Sequence, residues 1–377
     1  MMKIVHIGKY YRPDSGGIES VTESLASGFV KAGHQLTVVC FEKTPAKLKQ
    51  VIDGVNVVRA PIWRTIASQP IGLKYLWRCI SEGRSADIVH IHVPNMLGAL
   101  GSLFLGKKPK LVVHWHSDVI GKGILGSILR PLETALLKRA DCIVATSPIY
   151  ADASPILKRF SEKVNIIPIG IADTSGTGSL LSGSTFLSDD LNEKLTGKKL
   201  VLAVGRLVPY KGFEVLIKAA EKLSDDSAVV IVGSGELYQS LEKLISDLKL
   251  NGKVFLTGRL EDNALAELYR RADLFCLPSI ERSEAFGVVL LEAMAYSLPI
   301  VASNIPGSGV PWVNQHEVSG LNVPVGDEIK LAEACNRILW SKIDSEKFST
   351  GARTRFLSEF TEDISVTLML NLYKNIL

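Results

Sequence analysis

Residues 200–223 read LVLAVGRLVPYKGFEVLIKAAEKL, and this stretch decides the fold class. The apolar run Leu200–Val204 has the length of a buried strand, and Gly212–Leu223 has the apolar spacing of a helix. A strand, a short loop and a helix in this order are typical of the βαβ unit, whose strands are parallel. The stretch therefore predicts an α/β fold built on a parallel sheet.

The same order recurs on both sides of this stretch. Downstream, the patterns predict strands over Ala228–Val232, Val254–Thr257, Leu274–Leu277 and Ile300–Ala302, with helices over Leu237–Leu248, Ala264–Arg271 and near Val288–Tyr296. Upstream, they predict a helix over Ile18–Ala32 among strands over Lys3–Gly8, Gln35–Phe41, Ile88–His92, Lys110–His114, Cys142–Thr146 and Val164–Pro168. We expect two Rossmann-like, doubly wound domains that face each other across a cleft.

The segment Ala172–Lys199 separates the two halves. Ser, Gly and Thr concentrate in Asp173–Thr185 and no apolar period persists, so we interpret residues 172–199 as a linker or an insertion. This gives an N-terminal domain over residues 1–171, a C-terminal domain over 200–362 and a final helix over 363–377. The apolar spacing of that last helix suits packing against another element, and we expect it to return to the N-terminal domain.

The composition excludes several classes of protein. With 377 residues, 46% hydrophobic residues and a mean hydropathy of +0.20, the chain is neither disordered nor fibrous. The longest apolar stretch, Ala285–Ala302, is interrupted by Glu292, so no membrane-spanning helix is expected. Met1–Arg12 lacks the pattern of a signal peptide, which favours a cytoplasmic location. The five cysteines are far apart and form no Cys-x-x-Cys pair, which indicates buried thiols rather than disulfides or a zinc site.

Charge is distributed unevenly along the chain. Residues 1–170 carry 22 Lys and Arg against 12 Asp and Glu, whereas residues 171–377 carry 21 against 27, and the whole chain has a net charge of +4. A basic first half could meet nucleic acid, an anionic membrane surface or a phosphorylated substrate. No nucleic-acid recognition motif accompanies the charge, so we expect no nucleic-acid partner.

Loops that follow the predicted strands are the candidate sites, since ligands of open α/β sheets bind beyond the carboxyl ends of strands. Gly16 and Gly17 follow the first strand at the mouth of a helix, where free N–H groups favour an anion, although an ordinary turn is an equal alternative. The loop lacks the Gly-x-Gly-x-x-Gly pattern, so a nicotinamide cofactor has little support. Arg206 and Lys211 bracket another such loop, where two fixed cations could neutralise a diphosphate as a divalent metal does elsewhere, with two solvated surface charges as the alternative. We expect no metal.

Two carboxylates lie around the predicted helix near Val288–Tyr296. Glu284 and Glu292 are eight residues apart and would point in different directions on one helix, so Glu284 belongs in the loop at the helix mouth. Glu292 interrupts an apolar run, and a buried carboxylate needs hydrogen-bond donors. A ribose diol would supply two donors, and a structural ion pair is the alternative.

His116 closes a predicted strand and could donate a hydrogen bond to a substrate oxygen or shuttle a proton. A packed core histidine is the alternative at this position. His90, His92 and His114 alternate along predicted strands, so we interpret them as packed side chains rather than metal ligands.

These loops together resemble the retaining glycosyltransferases of family 4, which have the GT-B fold. The most specific part of the resemblance is the motif Glu284-Ala-Phe-Gly-x4-Glu292-Ala-Met-Ala, with seven residues between its two glutamates. Gly205-Arg206-x4-Lys211-Gly212 and the Gly16-Gly17 loop accompany it in the expected order. The resemblance extends over nearly the whole chain.

The resemblance implies a role for each of these residues. Arg206 and Lys211 would bind the donor diphosphate and Glu292 the ribose, while Glu284 and the backbone of Ala285, Phe286 and Gly287 would bind the donor sugar. Gly16, Gly17 and His116 would approach from the other domain, and Arg259 and Leu260 would lie near the nucleobase. Catalysis would rest on Glu284, His116, Arg206 and Lys211, without a protein nucleophile and with retention of configuration.

The segments His114–Asp118, Arg130-Pro-Leu and Ala145–Pro148 look most like bacterial mannosyltransferases that build O-antigen from GDP-mannose. Their acceptor would be a polyprenyl-diphosphate-linked saccharide, and the enzyme could associate with the inner face of the cytoplasmic membrane. Two groups mix aromatic or apolar residues with cations in the manner of interfacial segments, with solvated helix faces as the alternative. They are Trp63, Arg64, Lys74, Tyr75, Trp77 and Arg78, and Lys122, Arg130, Lys138 and Arg139 among the apolar residues around Ile120–Leu137.

Other functions remain open at this point. A UDP-sugar-dependent transferase, a glycogen-synthase-like transferase or a sugar-nucleotide epimerase could share the GT-B fold. A non-catalytic nucleotide-sugar-binding subunit of a membrane complex is the alternative from another class, although it has no evident need for Glu284, Arg206 and Lys211.

Overall fold

The computed structural model describes residues 1–14, 16–44, 47–66, 69–118, 123–176 and 186–377, with the side chains of 123–129 left aside. The chain divides into two compact units. The first contains Met1–Ala172 and Phe360–Leu377, and the second contains Asp173–Glu359.

The first unit is built on an eight-stranded sheet. In spatial order its strands are β10 (Val164–Ile166), β9 (Cys142–Ala145), β8 (Lys110–Trp115), β7 (Ile88–Val93), β1 (Lys3–Ile7), β2 (Gln35–Glu42), β4 (Val55–Pro61) and β3 (Lys49–Ile52). All neighbours are parallel except β3 and β4. Every residue of β7 and β9 is buried, as expected for strands covered by helices on both faces.

Helices and a small hairpin complete the first unit. The helices are α1 (Gly17–Lys31), α2 (Leu73–Gly83), α3 (Met96–Ser102), α4 (Gly123–Arg139), α5 (Pro148–Ala153) and α14 (Glu362–Ile376), and β5 (Arg64–Ile66) pairs with β6 (Gln69–Ile71). The last helix packs on the first. Val366 of α14 lies against Gly28 of α1, and the ring of Tyr373 lies 5.4 Å from that of Phe29. The C-terminal helix is therefore part of the first unit.

The second unit is built on a six-stranded parallel sheet. In spatial order its strands are β13 (Val254–Gly258), β12 (Ser227–Val232), β11 (Lys199–Val204), β14 (Leu274–Leu277), β15 (Ile300–Ser303) and β16 (Gly320–Val323). Its helices are α6 (Asp189–Leu195), α7 (Phe213–Ala220), α8 (Tyr238–Asp247), α9 (Asp262–Arg271), α10 (Val288–Ala295), α11 (Val310–Val313), α12 (Glu328–Trp340) and α13 (Lys342–Glu359). The strand order is that of the doubly wound fold.

The core of the second unit shows why these residues form these elements. Phe213, Leu216 and Ile217 lie on one side of α7 and pack with β-branched residues of β11 and β12. Each such side chain contributes about 1.5–3 kcal/mol when fully buried. All five cysteines of the chain are buried and free, as their spacing predicted.

The segment interpreted as a linker or an insertion is mostly part of the second unit where the structure describes it. Residues 173–176 and 186–199 belong to the second unit, and residues 189–195 form α6. Ser188 begins this helix by accepting a hydrogen bond from the Leu191 amide, a helix start that the low apolar content concealed. The remainder of the Ser-, Gly- and Thr-rich run, residues 177–185, lies outside the described residues.

Candidate functional site

The second sheet has its topological switch point between β11 and β14. From β11 the chain runs outward through β12 and β13, and then returns to the other side of β11 with β14. A crevice forms at the carboxyl ends of the two strands at such a point. The loop 205–212 follows β11 and the loop 278–287 follows β14, so the predicted Arg206, Lys211 and Glu284 all border this crevice.

Glycines let these loops approach each other closely. Gly212 has φ +64°, and a Cβ there would collide with the carbonyl oxygen of Pro278. The Ile280 amide donates to the Tyr210 carbonyl at 2.8 Å and holds the two loops together. Gly233, after β12, comes so close to Gly205 that a Cβ would collide with the Gly205 carbonyl. Only glycine permits this packing.

A buried ion pair joins the two loops. Lys211 Nζ lies 2.5 Å from Glu284 Oε2, and the same oxygen accepts a 2.9 Å hydrogen bond from Ser279 Oγ. Lys211 is 7% exposed and Glu284 is 8% exposed. Ser308 Oγ donates to the backbone carbonyl of Glu284, and the Gly309 amide donates to that of Ala285. The carboxylate and the ammonium are thus held in fixed positions at the crevice.

Glu292 lies on α10, and Gly287 begins that helix with φ +81°. Tyr269 of α9 donates a 2.7 Å hydrogen bond to Glu292 Oε2. Burial raises the pKa of Glu292, while the Tyr269 hydrogen bond and the Lys211 charge act in the opposite direction. Tyr269 is the donor that a buried carboxylate needs, and it was not predicted because no pattern in the sequence pairs residues 269 and 292.

The other predicted residues of the second unit differ in exposure. Arg206 is exposed and its Nη2 lies 3.2 Å from Tyr210 Oη, so the two expected cations comprise one buried and one exposed group. Arg259 is exposed and Leu260 half-buried, directly after β13. The Gly258 carbonyl accepts from the Gly233 amide at 2.9 Å, which connects this loop to the one after β12. Ala285 is half-buried and Phe286 buried.

In the first unit, Gly16 and Gly17 lie at the start of α1 and are exposed, where the sequence predicted a helix mouth. Glu19 lies in the first turn of this helix, and a Cβ on Gly16 would stand 2.5 Å from its Oε2. Burial raises the pKa of Glu19. A carboxylate therefore already borders the helix N-terminus at which an anion was expected.

His116 follows β8 and belongs to a cluster of five buried histidines. Neighbouring strands bring His6 of β1, His90 and His92 of β7, and His114 of β8 onto one face of the sheet with it. His92 Nδ1 lies 2.9 Å from His116 Nε2, and His92 Nε2 lies 3.1 Å from His6 Nδ1. We call His6, His92 and His116 the first histidine row.

A second histidine row consists of His114, His90 and Tyr373. His90 Nε2 lies 3.2 Å from His114 Nδ1, and His90 Nδ1 is hydrogen-bonded to the Tyr373 hydroxyl of α14. Burial lowers the pKa of His6 and of His116 to about 3 and lowers the pKa values of the other three histidines well below the usual range. All five rings are therefore neutral at pH 7.

His90, His92 and His114 were predicted to be packed side chains and are buried, but their clustering with His6 and His116 was not predicted. His90, His92 and His114 each offer a ring nitrogen within 4.8 Å of the others. Zinc needs nitrogen ligands at about 2.0–2.1 Å. Four of the six ring nitrogens of these residues, including His90 Nε2 and His114 Nδ1, are already hydrogen-bonded to other rings of the cluster. A zinc ion would have to displace those hydrogen bonds.

Comparison with known proteins identifies the family. The family model described as "Glycosyl transferase 4-like domain" matches residues 16–170, and "Glycosyl transferases group 1" matches residues 188–355. The O-antigen chain mannosyltransferase C of Escherichia coli is 31% identical over 379 residues, which cover 100% of this chain and 99% of that protein. The chain is a glycosyltransferase of family 4.

Two further comparisons place this glycosyltransferase among its relatives. The D-rhamnosyltransferase WbpZ of Pseudomonas aeruginosa is 32% identical over 362 residues, covering 96% of this chain and 92% of that protein. The crystal structure of HepE from Anabaena in complex with UDP and glucose superposes with a TM-score of 0.79 at 17% identity, with each chain covered completely. The family and the GT-B fold expected from the sequence are confirmed.

The interfacial segments expected of the glycosyltransferase are only partly exposed. Tyr75 is fully buried and donates to the Gly8 carbonyl, so it does not belong to an outer surface. Arg139 donates to the carbonyls of Gly106 and Pro109 and pairs with Asp141. Its charge therefore stabilises contacts within the first unit. Ile120 and Lys122 lie outside the described residues. Within the described ranges, no helix is long and apolar enough to cross a bilayer.

Proposed function

We propose that this glycosyltransferase transfers mannose from GDP-mannose, with retention, onto a lipid-linked saccharide in the synthesis of O-antigen or another cell-surface polysaccharide. The observation that carries the proposal is the buried contact between Lys211 and Glu284 at the switch point of the second sheet, in a chain similar throughout to an O-antigen mannosyltransferase. A polyprenyl diphosphate is the lipid carrier that we propose for the acceptor.

In this proposal Lys211 and Arg206 bind the diphosphate, and Glu292 binds the ribose. Glu284 and the backbone of residues 285–287 bind the sugar, with Arg259 and Leu260 near the base. As the bond between the anomeric carbon and the diphosphate oxygen breaks, negative charge grows on the leaving group and both cations stabilise it more than in the ground state. The acceptor oxygen attacks the same face and its proton passes to the departing oxygen, so no protein nucleophile is needed. We also assign Gly16, Gly17 and His116 to donor binding, as the resemblance to the family implies.

The test is a product assay with purified enzyme, GDP-mannose and a synthetic lipid-linked acceptor, followed by mass spectrometry and NMR of the new linkage. We expect Glu284→Gln to lower turnover by at least about 100-fold, since it removes a charge from the reacting centre. Glu281→Gln is the matched control, because Glu281 is an exposed carboxylate in the same loop. Equal activity of the two variants, or inversion at the anomeric carbon, would contradict the mechanism.

D-rhamnosyl transfer is a second candidate, because the D-rhamnosyltransferase WbpZ is as similar to this chain as the mannosyltransferase. D-rhamnose is mannose without the hydroxyl on C6. A site that hydrogen-bonds this hydroxyl would reject the deoxy sugar strongly, whereas an apolar site would discriminate little. Competition between GDP-mannose and GDP-D-rhamnose, read as a ratio of kcat/KM, decides between the two donors. A panel of UDP-sugars in the same assay tests the other nucleotide.

We further propose that the reaction needs no divalent metal, because Arg206 and Lys211 supply two positive charges to the diphosphate. Turnover after dialysis against EDTA should equal turnover with added Mg²⁺ or Mn²⁺. A loss in EDTA that Mg²⁺ restores would overturn this part of the proposal and leave the donor assignment intact.

We propose that exposed aromatic and apolar residues of the first unit meet the membrane that holds the lipid-linked acceptor. Trp63 is 81% exposed, Leu73 is 72% exposed and Trp77 is 59% exposed, with Arg64 and Lys74 exposed beside them in sequence. Aromatic residues mixed with cations favour an anionic bilayer surface. We expect the protein to sediment with phosphatidylglycerol vesicles and much less with neutral ones. The pair Trp63→Ala and Trp77→Ala should weaken sedimentation, whereas Trp340→Ala, an exposed tryptophan of the second unit, should not.

A further inference from the structure

The first histidine row ends at His116, which binds the nucleotide-sugar donor in the proposed function. The inference about this row rests on that function. His116 is placed by a chain of two hydrogen bonds that runs through His92 to His6. Each neutral imidazole carries one hydrogen, on either Nδ1 or Nε2. The three rings can therefore be hydrogen-bonded in only two directions.

The far end of the row distinguishes the two directions. His6 Nε2 is buried and, among the described residues, has no hydrogen-bond partner. If the row donated from His116 toward His6, each Nε2 would carry a hydrogen and His6 would bury an unpaired N–H. Orphaned N–H donors are rarer and costlier in protein interiors than unsatisfied acceptors. His6 therefore keeps its hydrogen on Nδ1 and donates it to His92 Nε2.

The direction set at His6 passes along the row. His92 accepts at Nε2, so its hydrogen is on Nδ1 and is donated to His116 Nε2. His116 accepts at Nε2 and must carry its own hydrogen on Nδ1. We propose that His6 and His92 are positioning residues that hold His116 as the neutral Nδ1–H tautomer, so that it offers a hydrogen-bond donor to an oxygen of the nucleotide sugar.

In the second histidine row each imidazole also donates from Nδ1, although this row runs the other way across the sheet, from β8 to β7 and α14. His114 Nε2 is also buried, and it too lacks a partner within the described ranges. By the same argument His114 donates from Nδ1 to His90 Nε2, and His90 donates from Nδ1 to the Tyr373 hydroxyl. Two adjacent rows, each with an unpaired nitrogen at one end, therefore give one consistent pattern.

Burial keeps the first row neutral and so preserves this pattern. An imidazolium donates from both nitrogens, and a charged ring inside the row would face the N–H of a neighbour. The pKa of His6 and that of His116 are both lowered to about 3 by burial. In this proposal His116 therefore acts as a hydrogen-bond donor rather than as a proton shuttle.

The test reads the tautomer directly. Long-range ¹H–¹⁵N correlation spectra of the full chain, labelled with ¹⁵N-histidine at pH 7.5, distinguish a protonated from an unprotonated ring nitrogen, and the seven histidines are assigned by single substitution. We expect His116 to have its hydrogen on Nδ1 in the wild-type protein. A hydrogen on Nε2, or an imidazolium, would overturn the proposal without any variant.

Two substitutions on one strand separate positioning from packing. His92→Phe removes the donor to His116, and we expect the hydrogen of His116 to move to Nε2, the nitrogen that free histidine favours. His92→Asn keeps a side-chain N–H near Nδ1 and should retain the wild-type tautomer. His90→Phe is the matched control, because His90 is equally buried on the same face of β7 but belongs to the second row. An unchanged His116 tautomer in His92→Phe would overturn the proposal.

Activity gives a second readout that a purely structural role would not produce. We expect His92→Phe to lower kcat about 10-fold, the worth of one hydrogen bond, with KM for the nucleotide sugar within about twofold, and His92→Asn to recover most of the loss. Equal losses in His92→Phe and His90→Phe would indicate packing alone and overturn the proposal. If wild-type protein transferred no sugar from any nucleotide sugar while the spectra showed the expected tautomers, the proposed function would fail and the positioning of His116 would stand.

Discussion

At the scale of single residues, the buried ion pair between Lys211 and Glu284 is the contact of the second unit on which both stability and the proposed activity depend. Two charges with less than a tenth of their surface exposed lose most of their hydration, and each is stable only beside the other. In the proposed reaction the pair also sets the position of the cation on the diphosphate. Stability and activity therefore depend on the same atoms.

Lys211→Met should destabilise the protein strongly, because it leaves the Glu284 carboxylate buried without its cation. We expect the free energy of unfolding to fall by about 3–5 kcal/mol. The double variant Lys211→Met, Glu284→Gln should regain a large part of this loss, since no unpaired charge remains. Urea unfolding at pH 7.5 measures both.

The exposed pair of Lys342 and Glu346 provides the comparison. Its atoms are 3.7 Å apart and its side chains are 86% and 68% exposed, so Lys342→Met should change stability by less than about 0.5 kcal/mol. If Lys211→Met lowered the free energy of unfolding as little as Lys342→Met, the buried ion pair would not be important for stability. Neither Lys211 variant should transfer sugar at a measurable rate.

Single residues also mark the limit of what the sequence could predict. Glu284, Glu292, Arg206 and Lys211 were recognisable because their spacing relative to strands and glycines is local. Tyr269 donates to Glu292 across 23 positions, and no local pattern indicates that contact. The histidine rows likewise depend on the register of β1, β7 and β8, which pairs His6 with His90 and His92 with His114.

At the scale of elements, most buried parallel strands were predicted, but the largely buried strand β4 was missed, because Asn56 and Arg59 interrupt its apolar run. Every strand of the second sheet except β16 was predicted to within one or two residues, since short continuous apolar runs leave few alternatives. The antiparallel strand β3 and the hairpin of β5 and β6 were missed, because most of their residues are exposed or half-buried and have no strong apolar period. Helix α6 was missed for the same reason.

The turn between β11 and α7 yields a prediction at this scale. Gly212→Ala should destabilise the protein by about 1–3 kcal/mol, because φ +64° is strained for alanine and the Cβ collides with the Pro278 carbonyl. Turnover should fall further than stability explains, since the strain displaces Lys211, the preceding residue.

Gly252→Ala is the control for Gly212→Ala, because Gly252 has open space where a Cβ would be. It should change stability by no more than about 0.5 kcal/mol. Urea midpoints and kcat of both variants provide the comparison. A Gly212→Ala protein with wild-type kcat would show that the loop positions Lys211 by other means.

At the scale of the whole molecule, the candidate residues of both units lie mainly in loops that follow central strands of the sheet. The two units differ in what supports those loops. The second unit uses a buried ion pair and close glycine contacts, whereas the first has neutral imidazoles in hydrogen-bonded rows. The stability of the second unit therefore depends on keeping both charges of one ion pair. The stability of the first unit depends on its histidines staying unprotonated.

Acid should therefore destabilise the protein through its first unit. The pKa values of the five clustered histidines are lowered in the folded protein and return to about 6.5 on unfolding. Below pH 6.5 the unfolded chain binds more protons, so stability falls as pH falls, down to about 3 for His6 and His116. Once its unfolded form is fully protonated, each histidine lowers the free energy of unfolding by about 1.4 kcal/mol for each pH unit of acidification. The five together lower it by about 7 kcal/mol per pH unit. Burial raises the pKa of Glu19, Glu133 and Glu292, which opposes this loss only as these carboxylates begin to protonate.

Urea unfolding of the full chain between pH 7.5 and pH 5 tests this expectation, and hydrogen exchange locates the effect. Protection should be lost first in β1, β7 and β8 as pH falls. Replacing His90 and His114 together by Phe should reduce the slope of stability against pH by about two fifths, because two of the five protons are no longer taken up on unfolding. Phe29→Leu is the control, because Phe29 packs on His6 but takes up no proton, so it should lower stability and leave the slope unchanged. A stability that stayed constant from pH 7.5 to pH 5 would mean that the five imidazoles are not buried as neutral rings.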